Sequence, residues 1–121
     1  MTSPSPQHQD WHHRAEMALE TAVRSQRAIT YAMLAEAATI PAPHRIHQLT
    51  VWLEETMRID HAAGRPLRAA IVISRNRAGL PAPGFFETCH ALGLYSGSHH
   101  GVEAVRFHQM MLAQLAMTPG M

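Results

Sequence analysis

The stretch ITYAMLAEAATIPAPHRIHQL, which spans Ile29–Leu49, decides the fold. Thr30 is well placed to cap a helix that runs from Tyr31 to about Thr39. The prolines that follow cannot continue a helix interior, although Pro43 suits the first turn of a new helix. The stretch therefore predicts two helices joined by a tight turn, the pattern of a helix-turn-helix.

Helical periodicity continues on both sides of this stretch. Before it, apolar residues recur at spacings of three and four from Asp10 to about Arg27, with Asp10 as a plausible N-cap. After it, a third helix is expected to end near Ala63, because Gly64 suits the position that follows a helix. Its predicted inner face consists of Ile46, Leu49, Leu53 and Met57, widened by Trp52 and Ile59.

The segment after the third helix changes its period. PLRAAIVISR, residues 66–75, has the composition of a buried strand, and the NRAGLPAPG that follows is typical of a turn. A partner strand after Gly79 would complete a hairpin. Two further helices are expected from Phe85 to about Leu92 and from Val102 to Met117. This order predicts a mainly α protein with a small β-hairpin (α+β), a winged helix-turn-helix with additional C-terminal helices.

Length and composition indicate one domain. The 121 residues are 46% hydrophobic and 16% charged, so we expect a disordered tail over residues 1–9 and a single winged-helix-like domain over 10–118. The sequence shows neither a secretory h-region nor an apolar stretch long enough to span a membrane. With Cys89 as the single cysteine, the expected location is the cytoplasm.

Two segments resemble known proteins. ITYAMLAEAATIP, followed by a helix and by GRPLRAAIVISRNRAGLPAPGFF, is similar to a pattern of small bacterial winged-helix-like proteins of unassigned function. Ile29–Leu49 also resembles the DNA-binding half of alkyltransferase-like proteins, in which a TYGxLA segment leads into a recognition helix. That resemblance implies that Arg45 occupies the place of the base-displacing arginine.

The resemblance ends where alkyl transfer would begin. Repair members of that family carry a cysteine in a Pro-Cys-His-Arg motif, whereas here the run is VISRNR and Ser74 lies nearest that position. Cys89 lies in a predicted helix beside His90, and neighbouring residues of a helix do not face each other. A small buried cysteine is therefore expected, and the chain is predicted not to be an enzyme.

The predicted function is DNA binding, possibly in regulation. The third helix offers side chains that reach bases or phosphates, and the segment 62–86 holds four arginines with no acid. That local concentration matters because the formal net charge of the whole chain is only +1. The expected DNA-binding residues are His44, Arg45, His47, Gln48, Arg65, Arg68, Arg75 and Arg77.

An alternative stays open for the same residues. Arginines beside a strand commonly keep a sheet edge soluble, and Glu54, Glu55 and Asp60 would repel DNA if they faced it. The alternative function is a protein-interaction adaptor or inhibitor that binds another protein through a winged-helix scaffold. The sequence names neither a DNA site nor a protein partner.

Histidine is abundant but not arranged as a metal site. The chain has ten histidines, and pairs such as His12 with His13 are adjacent, so their side chains diverge on a helix. His44 and His47 are three residues apart, yet no carboxylate or cysteine completes a ligand set. No metal and no cofactor are predicted.

The spread of apolar residues around the last helix predicts self-association. Val105, Met110, Met111, Leu112 and Leu115 spread over more than the single stripe that a helix buries against a small core. A homodimer through this C-terminal helix is therefore expected, whereas complete coverage within one chain is the alternative. Phe85 or Phe86 is expected to be buried beneath the wing.

Overall fold

The fold is mainly helical with a small sheet, as predicted. This computed structural model describes residues 6–117, with side chains from Trp11 onward. Its elements in chain order are α1 (Pro6–Ser25), β1 (Ile29–Thr30), α2 (Tyr31–Ala38), α3 (Arg45–Ala62), a 3-10 helix (Arg68–Ile71), β2 (Val72–Ile73), α4 (Pro83–Ala91) and α5 (Gly101–Met117).

Helix α1 begins earlier than the sequence indicated. The expected N-cap at Asp10 is wrong, because α1 already includes Pro6. Of the tail expected over residues 1–9, the first five lie outside the described residues and the other four belong to α1. The predicted frayed end at Pro119 and Gly120 also lies outside them.

The first three helices enclose an apolar core. Each helix contributes one stripe of side chains, as expected from the spacing of three and four. Helix α2 packs on α1 and on α3, and α3 also packs on the 3-10 helix and on α4. The buried face of α3 includes fewer of the predicted apolar residues than expected. Ile46 and Ile59 are exposed, contrary to expectation. The buried stripe of α3 consists of Leu49, Leu53, Thr56, Met57 and Asp60.

The small sheet is parallel, so the predicted hairpin is wrong. β2 pairs with β1, with Ile29 opposite Val72 and Thr30 opposite Ile73. The helices between the two strands supply the crossover that a parallel pair requires. After β2, the backbone N–H of Ser74 donates to the carbonyl of Leu80 at 2.8 Å and closes a loop. Within residues 6–117 no strand follows that loop, because prolines without an N–H lead directly into α4.

An aromatic cluster joins α4 to α5. Phe85 and Phe86 are buried, as predicted, with ring centroids 5.3 Å apart in an edge-on arrangement. The ring of Phe107 stacks on Tyr95 at 4.3 Å between centroids, and His99 stacks on Phe86 at 5.8 Å. The loop between α4 and α5 is thereby fixed to the core.

Helix α5 closes the fold and leaves apolar residues outside it. Its inner side buries Ala104, Phe107, His108, Met111 and Leu115. The buried imidazole of His108 meets the carbonyl oxygen of Ala70 at 2.8 Å and ties α5 to the 3-10 helix. In the described part of the chain, every helix is too short or too polar to cross a membrane.

Candidate nucleic-acid interface

The turn between α2 and α3 is held by side chains of α1 and α3. The side chain of Thr30 caps the start of α2, accepting the N–H of Met33 at 3.1 Å, as the sequence indicated. At the other end, the Nε of Arg14 donates to the carbonyl of Ala38 at 2.7 Å. The Gln48 amide donates to the carbonyls of Pro41 and Pro43 at 2.9 and 2.8 Å. Gln48 therefore fixes the turn and is not directed to solvent as a base-reading group.

The first turn of α3 is open to solvent. His44, Arg45 and His47 are exposed there. His44 precedes the helix with a left-handed backbone (φ 61°), and it provides no side-chain cap. The described residues therefore leave the first N–H groups of α3 available to an external acceptor. These donors lie at the positive end of the helix dipole, where anions are stabilised.

The loop after β2 presents one arginine outward and one inward. Arg75 is exposed. The Nε of Arg77 donates to the carbonyl of Pro81 at 2.9 Å, and its guanidinium also contacts the carbonyl of His99. Arg77 therefore braces the loop against the α4–α5 connection. Of the two, Arg75 is the side chain that can reach a partner.

After this loop, the chain contacts the helix-turn-helix again. The N–H of Ala82 donates to the hydroxyl oxygen of Tyr31 at 3.0 Å, at the first residue of α2. Burial raises the pKa of that hydroxyl, although this donated bond acts in the opposite direction. At Gly84, a Cβ atom would lie only 3.0 Å from the carboxylate of Glu54, so α4 starts against the middle of α3. The segment that links this loop to α4 therefore lies against the start of α2 and the middle of α3.

Two of the predicted DNA-binding arginines bind an internal acid instead. The carboxylate of Asp60 is fully buried and accepts the backbone N–H and the Nε of Arg68 at 3.1 and 3.0 Å. Arg65 donates to its other oxygen at 3.2 Å, and Arg68 also pairs with Glu16 on α1. Burial alone would lower the pKa of Arg68, but these carboxylate partners outweigh it and raise the pKa. The sequence indicated that Asp60 would repel DNA if it faced it, but this carboxylate is buried and paired.

The eight predicted residues fall into two sets of four. Those with intramolecular partners are Gln48, Arg65, Arg68 and Arg77. Those exposed without a hydrogen bond or ion pair inside the described residues are His44, Arg45, His47 and Arg75. The sequence contained a signal for this division, because Asp60 continues the apolar stripe of α3 and a buried carboxylate requires a basic partner.

The outer face of α3 beyond its first turn is a poor surface for phosphates. Val51 is exposed there, and Glu55 pairs with Arg58 at 3.3 Å. With Glu54 beside the start of α4, the middle of the helix has no unpaired cation among the described residues. Of the predicted DNA-binding arginines, Arg45 and Arg75 are therefore the two whose side chains are exposed and have no ion pair among the described residues.

The other reactive groups of the described residues are the single cysteine and the side chains that could hold a metal. Cys89 is fully buried, as predicted, and burial raises the pKa of its thiol to about 12, so it is not a nucleophile at neutral pH. Over residues 11–117, no three side chains of histidine, cysteine, aspartate or glutamate approach closely enough to hold a metal ion.

Comparison of the chain with known protein families, with curated proteins and with solved structures finds no significant match in any of the three.

Proposed function

We propose that the chain is a non-enzymatic DNA-binding protein that contacts duplex DNA through the first turn of α3 and the loop bearing Arg75. The proposal rests on the first turn of α3, which has no side-chain cap and which follows a turn that Gln48 holds in place. There Arg45 adds a full positive charge to backbone donors that already favour an anion. His44 and His47 supply further donors beside it.

The footprint is small, which determines the expected mode of binding. Phosphate contacts position a protein on DNA without reading its sequence, and each contributes about one unit to the salt dependence of binding. With Arg45 and Arg75 as the two exposed arginines that have no ion pair among the predicted contact residues, affinity should be modest, and the slope of log affinity against log salt should be only about two. Base contacts are limited to the side chains of the first turn, because Val51 and the acids of α3 follow it.

Fluorescence anisotropy with a labelled duplex at low salt tests the proposal. Arg45→Ala and Arg75→Ala should each weaken binding about tenfold, since a hydrogen bond to a charged group is lost. Each substitution should also reduce the slope of log affinity against log salt by about one. Arg24→Ala is the matched control, because Arg24 is an exposed arginine at the far end of α1.

Circular dichroism of the variants separates lost contacts from lost structure. All three arginines are exposed, so the helical spectrum and thermal midpoint should match those of the wild type. The proposal is wrong if the wild type binds no duplex at low salt, or if Arg24→Ala weakens binding as much as the other two substitutions.

A second function, a protein-interaction adaptor, is favoured by a different surface. Met17 and Met33 are exposed around a groove of about 420 Å³ between α1 and the start of α2. Arg27 lies on the rim of this otherwise apolar groove. Methionines adapt to varied partners, and the arginine complements a carboxylate, so the groove fits an apolar segment that carries an acidic residue.

Purification from the native host with and without nuclease distinguishes the two functions. A partner lost on nuclease treatment favours DNA binding. A protein that remains bound, but is released by Met17→Glu and not by Arg45→Ala, favours the adaptor.

A further inference from the structure

The outward side of α5 is apolar and nearly uncharged. The whole helix contains one acid, Glu103, and one arginine, Arg106. The carboxylate of Glu103 is engaged by the backbone N–H of Ser98 at 3.1 Å, so it turns toward the preceding loop. Val102 and Met117, near the two ends of the helix, are 68% and 82% exposed. Charged residues normally cover the outer side of a surface helix, and here that cover is missing.

A groove lies beside this surface. It has a volume of about 650 Å³ and lies between α5 and the segment that follows α3. Its lining includes the exposed Met110, Met117 and Leu94, together with the polar side chains of His61, Arg65 and Gln114. The outward side of α5, without this groove, is called the α5 surface.

The size of the α5 surface matches a weak dimer. Half the surface of a helix of this length, a cylinder about 26 Å long and about 11 Å across, amounts to roughly 450 Å². This area is below the roughly 600 Å² per partner at which standard interfaces begin, so the expected dimer is a weak one.

The sequence of α5 is complementary to itself in the antiparallel direction. If two copies pair about a two-fold axis at Gln109, Val102 of one lies opposite Ala116 of the other, and Val105 lies opposite Ala113. Large residues then face small ones, which allows close packing. The two Gln109 amides meet at the axis, where each can donate to and accept from the other. The amide of Gln109 thus finds its hydrogen-bond partner in the Gln109 amide of the second copy.

We propose that the α5 surface is covered by a second copy of this chain, packed antiparallel about a two-fold axis at Gln109. The interface is isologous, since the same residues are used by both copies. Val105 and Ala113 lie within it, whereas Met111 and Leu115 belong to the core of each copy. The proposal does not depend on DNA binding, because the first turn of α3 is outside the interface.

Analytical ultracentrifugation of the full chain over a concentration series tests the dimer. The mass should rise from 13.4 kDa to twice that value as the concentration increases. Val105→Glu combined with Ala113→Glu should weaken association about a hundredfold, because the interface would bury unpaired carboxylates. Val51→Glu combined with Ala37→Glu, exposed residues of the same types on α3 and α2, is the matched control.

Cross-linking tests the antiparallel arrangement and keeps the proposal falsifiable if the glutamate variants unfold. Gln109→Cys should form a disulfide-linked dimer on oxidation, since positions at the axis come within reach of each other. Ala37→Cys should not, and the natural Cys89 is buried. A wild type that stays monomeric up to about a hundred micromolar overturns the proposal. So does a dimer that survives the α5 substitutions, or a cross-link that forms equally well at position 37.

Discussion

Replacing Arg68 with alanine should cost more stability than replacing any of the other arginines that the sequence predicted to bind DNA. The substitution removes the guanidinium that pairs with the fully buried carboxylate of Asp60 and with Glu16. Breaking a buried ion pair from one side costs about 3–5 kcal/mol. Asp60 would keep the backbone N–H of residue 68 and the side chain of Arg65, so we expect the lower end, about 3 kcal/mol.

The neighbouring pairs provide internal comparisons. The side chain of Arg68 is 19% exposed, whereas those of Glu16 and Arg65 are 38% and 55% exposed. Solvent screens the last two, so Glu16→Ala and Arg65→Ala should each cost at most about 1 kcal/mol. The expected order of destabilisation therefore follows burial and not the number of charges removed.

Urea unfolding followed by circular dichroism measures these costs at neutral pH. For Arg68→Ala the midpoint should fall by about 2 M, given a typical slope for a domain of this size. Asp60→Leu combined with Arg68→Met should recover much of the loss, because no buried charge is left without a partner. Equal midpoints for Arg68→Ala and Arg65→Ala would refute this account of the charge cluster.

Four further outcomes follow from other parts of the fold. Burial lowers the pKa of His108, so as pH falls below about 6.5 the unfolded chain takes up the proton first and stability declines; the decline from pH 7 to 5 should be smaller in His108→Gln. The Cys89 thiol should stay unmodified by an aromatic disulfide reagent in the native protein and react fully in urea; rapid reaction of the native state would contradict its burial. Thr39→Gly should raise stability by about 1 kcal/mol in urea unfolding, because Thr39 ends α2 with a left-handed φ of 54°; no gain would argue against strain there. Gly97→Ala should lower the thermal midpoint, since a Cβ there would collide with the Tyr95 hydroxyl and the Glu103 carboxylate. An unchanged midpoint would show that the loop can shift to accommodate the added methyl group.

The helices were predictable because each carries its own signals. Thr30 caps α2 as expected, and the prolines separate α2 from α3, although Pro43 precedes α3 and does not lie in its first turn as predicted. The strand partner was not predictable, because a β-branched run indicates a strand without indicating what it pairs with. Val72 found its partner at Ile29, across two helices, and not in the proline-containing segment that follows.

The arginine cluster shows why the candidate site was only partly predictable. A charge count along residues 62–86 finds no acid, but the acids that pair with Arg68 lie outside that window, at Asp60 and Glu16. Side-chain pairs form in space, so local concentration overstates the charge available to a partner. Arg45 and Arg75 stay exposed because neither has an acid in reach within the described residues.

The parallel pairing of the two short strands also sets an order of events during folding. Ile29 and Val72 cannot pair until the intervening chain brings them together, and closing such a long loop has an entropic cost that two rungs of sheet do not offset. Helices α2 and α3, which use local contacts, must therefore form and dock first, and strand pairing then locks them in place. During synthesis, β1 has to wait for β2 to leave the ribosome, so an incomplete chain that stops after α3 should remain loosely folded.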